Sequence, residues 1–583
     1  MTTFSMFNIL NIEYTMNKFK YLAMASVFAL GMTSCGDFDD TNIDPEHLNE
    51  GNVPIEMLFT NGQHQALGSD WDMWRTGCIY SSQFVQHMVS IQWWEDYGRY
   101  VWSDGYSGSY WDTYSGDRGA MRDLTTCYDK WQEAEGMAID WNIARVMRVY
   151  AFSKMTDLYG DIPYSQAGRP SVYSYPVYDT QESIYKSMLA ELDEAQANLG
   201  SGTATIKNHD VYFQGDAASW KKFANSLMLR LAMRLVKVDE ATARTYAAKA
   251  LANGLIASND DNVKLEHPGG VTTNDSAEPF AKINAHEDKE FFLSNTLIDY
   301  LKTTNDPRIS LIATVCTNPE DFSVQDAANY QYGNSDPAIQ KGLPVGGYSN
   351  GPSSPYFIGH DYPEFVSDQG NMYKKEDGTL VHFQSVFSVP NRYTYSDPEA
   401  PTFIVTYAQT QFLLAEAAVR GYVNGDAATY FKNALEAACN QFSQFPAKGA
   451  ASLVETYLTA DAINSFVTAM VADFNAASND GKLEMINTQY WVNSFGDEYE
   501  AFSNWRRSGY PVLKASPFCA GQSTYTFADG ATATADGNSA SNGIPRRFRY
   551  PTSEDQINTA NYKEAVSRMA GGDRFDSRVW WDK

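Results

Sequence analysis

The chain has 583 residues and a formal net charge of −27, with a pI near 4.6. Hydrophobic residues make up 43% of it and charged residues 20%, which is typical of a soluble globular protein. The acidic balance disfavours nucleic-acid binding, which needs a basic surface. It also disfavours polyanionic ligands unless a local basic patch overrides the average.

Residues 1–34 have the layout of a secretory signal peptide. A short basic segment at 16–20 precedes an apolar run at 21–32 and two small residues. This order is typical of such signals, and about a dozen apolar residues are too few to span a bilayer as a helix. Residues 1–15 carry no basic segment, so Met16 is an alternative start.

Cys35 directly follows this segment. The sequence Met32-Thr33-Ser34-Cys35 resembles a bacterial lipobox, in which the cysteine is lipid-modified and becomes the new N-terminus; a plain signal peptide is the alternative. Residues 36–46 contain five acids and no basic residue, too polar a composition to order itself. We therefore predict a lipidated cysteine and an acidic tether over 35–50. The acidic run resembles the surface-export signal of Bacteroidetes lipoproteins. A charged linker that carries no export signal is the alternative.

Apolar residues recur with helical spacing in pairs of later segments. Asp179 and Glu182 indicate a helix start, and Gly160 and Gly200 indicate helix ends. A spacing of roughly 30 to 40 residues per helical pair is typical of tetratricopeptide-like repeats. The predicted helices are 141–159, 181–199, 216–238, 241–253, 403–420 and 426–442.

The fold class predicted from this pattern is mostly α: a tetratricopeptide-like helical repeat scaffold with a large loop-rich second subdomain. The repeats lie mainly in 115–255 and 400–445, and 256–400 and 446–583 form the loop-rich part. Loops of this length are uncommon in compact domains unless they carry function. Beyond the signal peptide we find no apolar run of eighteen residues, so no further membrane span is predicted.

Neither a disulfide framework nor a catalytic motif is indicated. The five cysteines after Cys35 are widely spaced, so we predict buried thiols. Residues 347–351 match G-x-S-x-G, but proline and glycine flank them in place of a strand and a helix. His286-Glu287 lacks a second histidine at position 290. We predict no catalytic activity and no cofactor, although paired carboxylates for glycoside hydrolysis stay open.

A set of short motifs follows in order through the chain. They are 148–164 (RVYAFSKMTDLYGDIPY), 178–185 (YDTQESIY), 215–234, 305–308 (NDPR), 505–511 (WRRSGYP), 544–551 and 579–582 (VWWD). Together with the lipobox, they resemble the SusD/RagB-like nutrient-binding outer-membrane lipoproteins of Bacteroidetes. The resemblance covers 51–583, which it implies to be a single SusD-like domain. Arg506, Arg507, Arg546 and Arg547 in these motifs are expected to pair with carboxylates.

The resemblance implies a non-catalytic, cell-surface glycan-binding protein, lipid-anchored in the outer membrane and facing the cell exterior. Its partner would be a SusC-like TonB-dependent transporter, to which it passes oligosaccharides for nutrient uptake. Some relatives take peptides, so a peptide-binding RagB-like protein is one alternative. A lipid-anchored surface glycoside hydrolase is another, and a purely structural role in a lipoprotein complex is a third.

The densest aromatic stretch of the chain, residues 92–106, holds the candidate ligand site. Sugars stack their C–H-rich faces on flat rings and need polar side chains for their hydroxyls, and large aromatics dominate binding energy at protein surfaces. The predicted ligand-binding residues are Trp93, Trp94, Asp96, Tyr97 and Arg99, with Tyr348 in the Gly-rich loop 343–352 as a second candidate. Packing of these rings in the core or against the transporter is the alternative. The sequence leaves open whether a metal ion such as calcium is bound.

Overall fold

The structure is a computed structural model, and it describes residues 53–114, 118–269, 276–284, 289–324, 331–366 and 371–583. Nearly all of the described residues belong to one unit, Leu58–Lys583. The predicted signal peptide, Cys35 and the acidic tether lie outside the described residues, so all three stay predictions.

Most of the regular structure is helical. The longer helices are α1 (Ile55–Gln65), α2 (Ala120–Gln132), α3 (Ala138–Tyr159), α4 (Gln181–Asn198), α5 (Ala217–Arg234), α6 (Glu240–Asn253), α7 (Asn295–Thr303), α8 (Tyr407–Val419), α9 (Ala427–Asn440), α10 (Ala447–Tyr457), α11 (Ala460–Ala476), α12 (Asn479–Asn493), α13 (Glu498–Ser508) and α14 (Thr559–Ser567). Shorter helical pieces are Asp70–Asp72, the π-helix Met73–Ser82, Glu95–Gly98, Asp104–Ser107, Ser109–Thr113, Asn259–Asp261, Pro279–Asn284, Ile309–Ile312, Pro319–Asp321, Ile358–His360, Phe383–Ser385, Gln441–Gln444 and Thr552–Ile557. No helix in these described ranges combines the length and apolar character needed to cross a bilayer.

The first helical array runs from α2 to α6. Each of these helices packs against the next along the chain, as in helical repeats. Helix α3 is buried over nearly its whole length, so its apolar residues surround the helix instead of forming one stripe. All five helices lie within 115–255, the range for which the repeat scaffold is predicted.

The start of α4 differs from the prediction in one residue. Thr180, not Asp179, is the N-cap, because its hydroxyl accepts from the backbone N–H of Ser183 (3.3 Å). The Asp179 carboxylate instead accepts the backbone N–H groups of Tyr164 and Ser165, at 3.0 and 2.8 Å. Asp179 therefore fixes the turn that follows α3, where a polar side chain can bond to backbone just as it can at a cap.

The second helical array is longer than predicted. Helices α8 and α9 lie within 400–445, the range predicted for a second repeat, although Phe403 belongs to the strand Thr402–Val405 rather than to the helix. Residues 447–508, predicted as loop-rich, form helices α10 to α13, with α11 and α12 packed on α9 and α8. That part of the loop prediction is wrong.

The described residues form five small antiparallel sheets: two lie within the loop-rich part at 256–400, two pair a strand of that part with a strand outside it, and one lies in 525–533. The strands are Met88–Val89 with Phe292–Leu293; Val263–Leu265 with Thr402–Val405; Ala313–Cys316 with Tyr332–Asn334 and Val389–Pro390; Met372–Lys374 with Phe365–Val366 and Leu380–His382; and Tyr525–Thr526 with Thr532–Ala533. An apolar core of its own, including Phe357, Phe365, Phe383 and Phe518, holds these loops together.

Ion pairs with buried arginines or carboxylates hold together both the second helical array and the C-terminal segment. Arg507 binds Glu416 through both terminal nitrogens, each at 2.7 Å, and so ties α13 to α8. Arg546 pairs with Asp582 and Arg547 with Asp573, which confirms the expected role of these three arginines. Arg506 differs, because it donates to backbone carbonyls and lies over the Trp581 ring. All five cysteines in the described ranges are buried free thiols, as predicted.

Candidate functional site

The aromatic residues of 92–106 meet a second group of aromatics at the start of the π-helix Met73–Ser82. A capping box between Ser69 and Asp72 opens the short helix Asp70–Asp72, which continues directly into the π-helix. Asp72 is buried and accepts hydrogen bonds from Ser69 and Ser109; burial, opposed by Arg118, raises the pKa of its carboxyl. Hydrogen bonds to the buried Asp72 carboxylate thus hold the turn that carries Trp71 and Trp74.

Five rings make up one contiguous cluster, named here the aromatic surface: Trp71, Trp74, Trp94, Tyr97 and Tyr106. Trp74 packs edge-on against Trp94, with ring centroids 5.0 Å apart and an angle of 89° between the planes. Trp71 reaches Trp74 at 5.5 Å, and Tyr106 lies 5.9 Å from Trp94 and 5.5 Å from Tyr97. Edge-on and tilted contacts are the favoured arrangements for aromatic pairs, and they leave ring faces and edges open at the surface.

One carboxylate, Glu290, orients two of the indoles. Its Oε2 accepts the Nε1–H of Trp94 at 2.8 Å and that of Trp74 at 3.3 Å. A carboxylate has about four acceptor positions, so Glu290 can take further hydrogen bonds beside the rings. The site thus combines flat apolar faces with an adjacent charged acceptor.

Two tryptophans expose more than half of their surface. Trp71 is 54% exposed, and Trp93, which makes no ring contact with any described aromatic residue, is 61% exposed. Trp93 also adopts a φ of +75°, a left-handed backbone conformation that is rare for a bulky residue. Such strain concentrates at binding sites, where the surrounding structure holds it in place.

The structure brings together some of the predicted ligand-binding residues. Trp94 and Tyr97 belong to the aromatic surface, and Trp93 and Asp96 lie exposed in the same segment. Burial, followed by the neighbouring Tyr106 and Asp96, raises the pKa of Tyr97 to about 12, so its hydroxyl is protonated at neutral pH. Ligand contact by these four residues stays a prediction.

Arg99 is placed differently from the prediction. Its side chain is buried; Nε donates to Asp536 at 2.8 Å, Nη1 donates to the carbonyl of Gly347 at 2.6 Å, and Nη2 pairs with Asp96. The guanidinium also lies 4.2 Å from the centroid of the Tyr356 ring. Arg99 therefore fastens three loops together instead of facing a ligand.

Tyr348 is likewise unavailable to a ligand. It is 5% exposed, donates its hydroxyl to Asp361 at 2.7 Å and packs edge-on against Phe518 within the apolar core of the loops. This loop approaches the aromatic segment through the left-handed Gly347, which lies against Gly98 and Arg99, and through Ser349, whose hydroxyl donates to Glu95 at 3.2 Å.

Four further residues of the site escaped sequence reasoning: Trp71, Trp74, Tyr106 and Glu290. Trp71 and Trp74 stand three residues apart, a spacing that places two side chains on neighbouring parts of one helical turn. Tyr106 ends the aromatic stretch already singled out. Glu290 is 196 positions from Trp94, and no local pattern indicates it. No group of three or more His, Cys, Asp or Glu side chains suited to a metal ion occurs in the described part of the chain.

Fold and site together define a helical-repeat protein that presents an aromatic, carboxylate-edged surface. The family model described as "Starch-binding associating with outer membrane", SusD-like, matches residues 52–551. The chain therefore belongs to the SusD-like family, as its motifs indicated, and its mostly helical fold is the fold of that family.

Three solved structures illustrate the likeness, and each aligns with 91% of this chain. A chitin-binding protein is 28% identical with a TM-score of 0.69, and all of that chain is covered. A SusD-like protein from Bacteroidetes AC2a is 25% identical with a TM-score of 0.70, again with all of it covered. A chitin-binding SusD homologue from Flavobacterium johnsoniae is 24% identical with a TM-score of 0.64, and 98% of it is covered. Comparison with curated proteins gives no match.

Proposed function

We propose that this protein binds oligosaccharides at the outer face of the outer membrane and passes them to a SusC-like TonB-dependent transporter for nutrient uptake. The aromatic surface carries the proposal, because exposed tryptophans beside an ordered carboxylate provide both the stacking and the hydrogen bonding that a sugar requires. The family description as starch-binding and the chitin-binding relative support a sugar over a peptide.

Attachment to the membrane would come from a lipid on Cys35. The lipobox-like sequence supports this anchor, and the acidic residues after it supply a tether of sufficient polarity to stay solvated. Metabolic labelling with a clickable palmitate tests it: the wild-type protein should carry the label and fractionate with the outer membrane. Cys35→Ala should abolish the label.

The protein would act by binding alone, without catalysis or a cofactor. Glu290, the carboxylate at the centre of the aromatic surface, already accepts two indole N–H groups, as expected of a residue that positions rings. A glycoside hydrolase would instead need two carboxyl groups facing each other across a bound sugar. Incubation of the purified protein with the oligosaccharides that it binds should release no reducing ends.

Titration calorimetry with starch and chitin oligosaccharides, preceded by a glycan array that includes peptides, tests the binding. We expect dissociation constants in the micromolar to millimolar range. Trp94→Ala and Trp71→Ala should each weaken binding by about 30-fold, corresponding to about 2 kcal/mol for a central aromatic contact.

Trp141→Ala is the matched control, because Trp141 is a half-buried tryptophan of α3 outside the aromatic surface. It should leave affinity unchanged. Binding of peptides but not glycans would favour a RagB-like peptide carrier, and product release lost on a carboxylate substitution would favour an enzyme. Co-purification with a barrel in the absence of any ligand would favour a structural role.

A further inference from the structure

Two arginines differ from all the others in the described structure. Arg75 and Arg549 neither donate a hydrogen bond nor form an ion pair with any residue that the structure describes, and the Nε of each is buried without a partner. Every other arginine in the described ranges donates at least one hydrogen bond to the protein. In a chain with 71 acids and only 44 basic residues, unpaired guanidinium groups are unexpected.

Arg75 lies within the aromatic surface. Its guanidinium carbon is 5.0 Å from the ring centroid of Trp71, 5.7 Å from that of Tyr106 and 6.0 Å from that of Trp74. Contact with several ring faces attracts the cation without using any of its N–H donors. The side chain is half-buried, so the donors that are not enclosed by the rings face the same solvent as Trp71.

Arg549 occupies a similar position on the neighbouring tryptophan. Its guanidinium carbon lies 3.8 Å from the centroid of the Trp102 ring. Trp102 in turn donates its Nε1–H to Ser107 at 2.9 Å, and Ser107 directly follows Tyr106 in the helix Asp104–Ser107. The two unpaired arginines are thus connected through one short helix that carries a ring of the aromatic surface.

The chemistry of an unpaired, ring-stacked guanidinium favours an anionic acceptor. Its planar, fixed donors match a carboxylate or a sulfate bidentately, and such charge-assisted pairs are stronger than bonds to neutral hydroxyls. Stacking on the rings holds the guanidinium plane before a ligand arrives, which lowers the entropy lost on binding. Glu290 and Asp96 are close by in the same site, so the arrangement suits a ligand with isolated negative charges and disfavours a dense polyanion.

We propose that the ligand of the aromatic surface is an acidic oligosaccharide, with a sugar carboxylate or sulfate bound by Arg75 and a second acidic residue of the same glycan reaching Arg549. This inference rests on the proposed function and names its substrate class. The rings bind the sugar faces, and the two arginines select for charge.

Paired ligands test the proposal, since the members of each pair have the same sugar units and differ in their acidic groups. The panel consists of oligogalacturonate and its methyl ester, sialyllactose and its methyl ester, and a sulfated chondroitin oligosaccharide and its desulfated form, with starch and chitin oligosaccharides added as neutral sugars. Calorimetry with the purified protein, Arg75→Gln and Arg549→Gln is carried out at low and at physiological ionic strength. Arg244→Gln is the matched control, because Arg244 is an exposed arginine on α6 that pairs with Glu240.

We expect at least one acidic ligand to bind about tenfold more tightly than its neutral counterpart, with an affinity that falls as salt increases. Arg75→Gln should weaken the acidic ligand by about tenfold or more, which is the effect of losing one charge-assisted pair, and leave the neutral ligand unaffected. Arg549→Gln should weaken the binding of longer acidic ligands and leave that of neutral ligands unaffected. Arg244→Gln should leave both affinities unchanged.

Binding of neutral sugars without any acidic preference would overturn the inference and leave the proposed function intact. Equal losses for neutral and acidic ligands in Arg75→Gln would also overturn it, because the arginine would then act through ring packing or through neutral hydroxyls. Absence of binding to every glycan in the panel would refute the proposed function and the inference together. A preference within the oligogalacturonate or sialyllactose pair indicates a carboxylate ligand, and a preference within the chondroitin pair indicates a sulfate ligand.

Discussion

Replacing Glu416 by glutamine should destabilise the protein by about 3 kcal/mol at neutral pH. Each carboxylate oxygen lies 2.7 Å from a terminal nitrogen of Arg507, Arg420 donates at 2.8 Å, and Asn487 donates at 3.1 Å. Burial disfavours the charged form, but Arg507 and Arg420 outweigh it and hold the pKa of Glu416 at about 2, against 4.5 for an unperturbed glutamate. That difference corresponds to about 3.4 kcal/mol of stability for the ionised carboxylate.

The sign of the pH dependence follows from the lowered pKa. Above pH 4.5 the carboxylate is ionised in both states and its contribution is complete; as the pH falls towards 2 the contribution is lost. At pH 3 only about 1.4 kcal/mol remains. Urea unfolding of the wild type and of Glu416→Gln, followed by circular dichroism at pH 7 and pH 3, should therefore show a difference between the two proteins that shrinks at the lower pH.

Glu436→Gln is the matched control. Glu436 lies on α9 and, among the described residues, forms an ion pair only with Lys432, at 2.7 Å. Both side chains are partly exposed to solvent. Its replacement should cost less than about 0.5 kcal/mol. A Glu416→Gln loss that is equal at both pH values would refute the electrostatic reasoning, because shape and hydrogen bonding would then account for it. A loss below about 1 kcal/mol would mean that desolvation cancels the attraction.

Two further substitutions test local structure by thermal unfolding. Asp216→Ala removes the N-cap of α5, whose carboxylate accepts the backbone N–H of Ser219 at 2.8 Å, and should cost about 1 kcal/mol; an unchanged melting temperature would contradict this cap. Gly347→Ala adds a Cβ that would lie 2.4 Å from Cγ of Arg99 in a residue with a φ of +77°, and should cost more than about 2 kcal/mol. Gly530→Ala is its control, because Gly530 has a similar φ of +89° with open space around it, and should cost about 1 kcal/mol; equal losses at the two glycines would show that the contact with Arg99 is unimportant.

Sequence reasoning recovered the elements whose signals are local. Helices α3 to α6 carry apolar residues at helical spacing over 14 residues or more, and α4 to α6 also have side-chain N-caps. These helices were found to within three residues except at the C-terminal end of α5. Helices α10 to α13 were missed, although Phe466, Met470 and Phe474 repeat at helical spacing along α11.

The candidate site was recovered only in part, because it depends on long-range contacts. An aromatic stretch can be recognised along the chain, so Trp94 and Tyr97 were found. Whether a polar side chain faces solvent or a carboxylate depends on residues elsewhere in the chain. Arg99 forms an ion pair with Asp536, and the Tyr348 hydroxyl donates to Asp361 beneath the loops. Glu290 contacts Trp94 across 196 positions of the chain, and no local sequence pattern near either residue predicts this contact.

The contrast between paired and unpaired arginines separates scaffold from surface. A buried guanidinium without a carboxylate or carbonyl partner is costly, so Arg507, Arg546 and Arg547 are held by the C-terminal half of the chain and in turn fix the helices. Arg75 and Arg549 are stabilised by aromatic faces alone and remain half-exposed. Since ring contact satisfies the charge only partly and the N–H donors not at all, these two positions are where an external acceptor gains most. Arg549 lies against Trp102 and Arg75 against Tyr106, two rings of the segment 92–106 that sequence reasoning had selected for a different reason, its aromatic density.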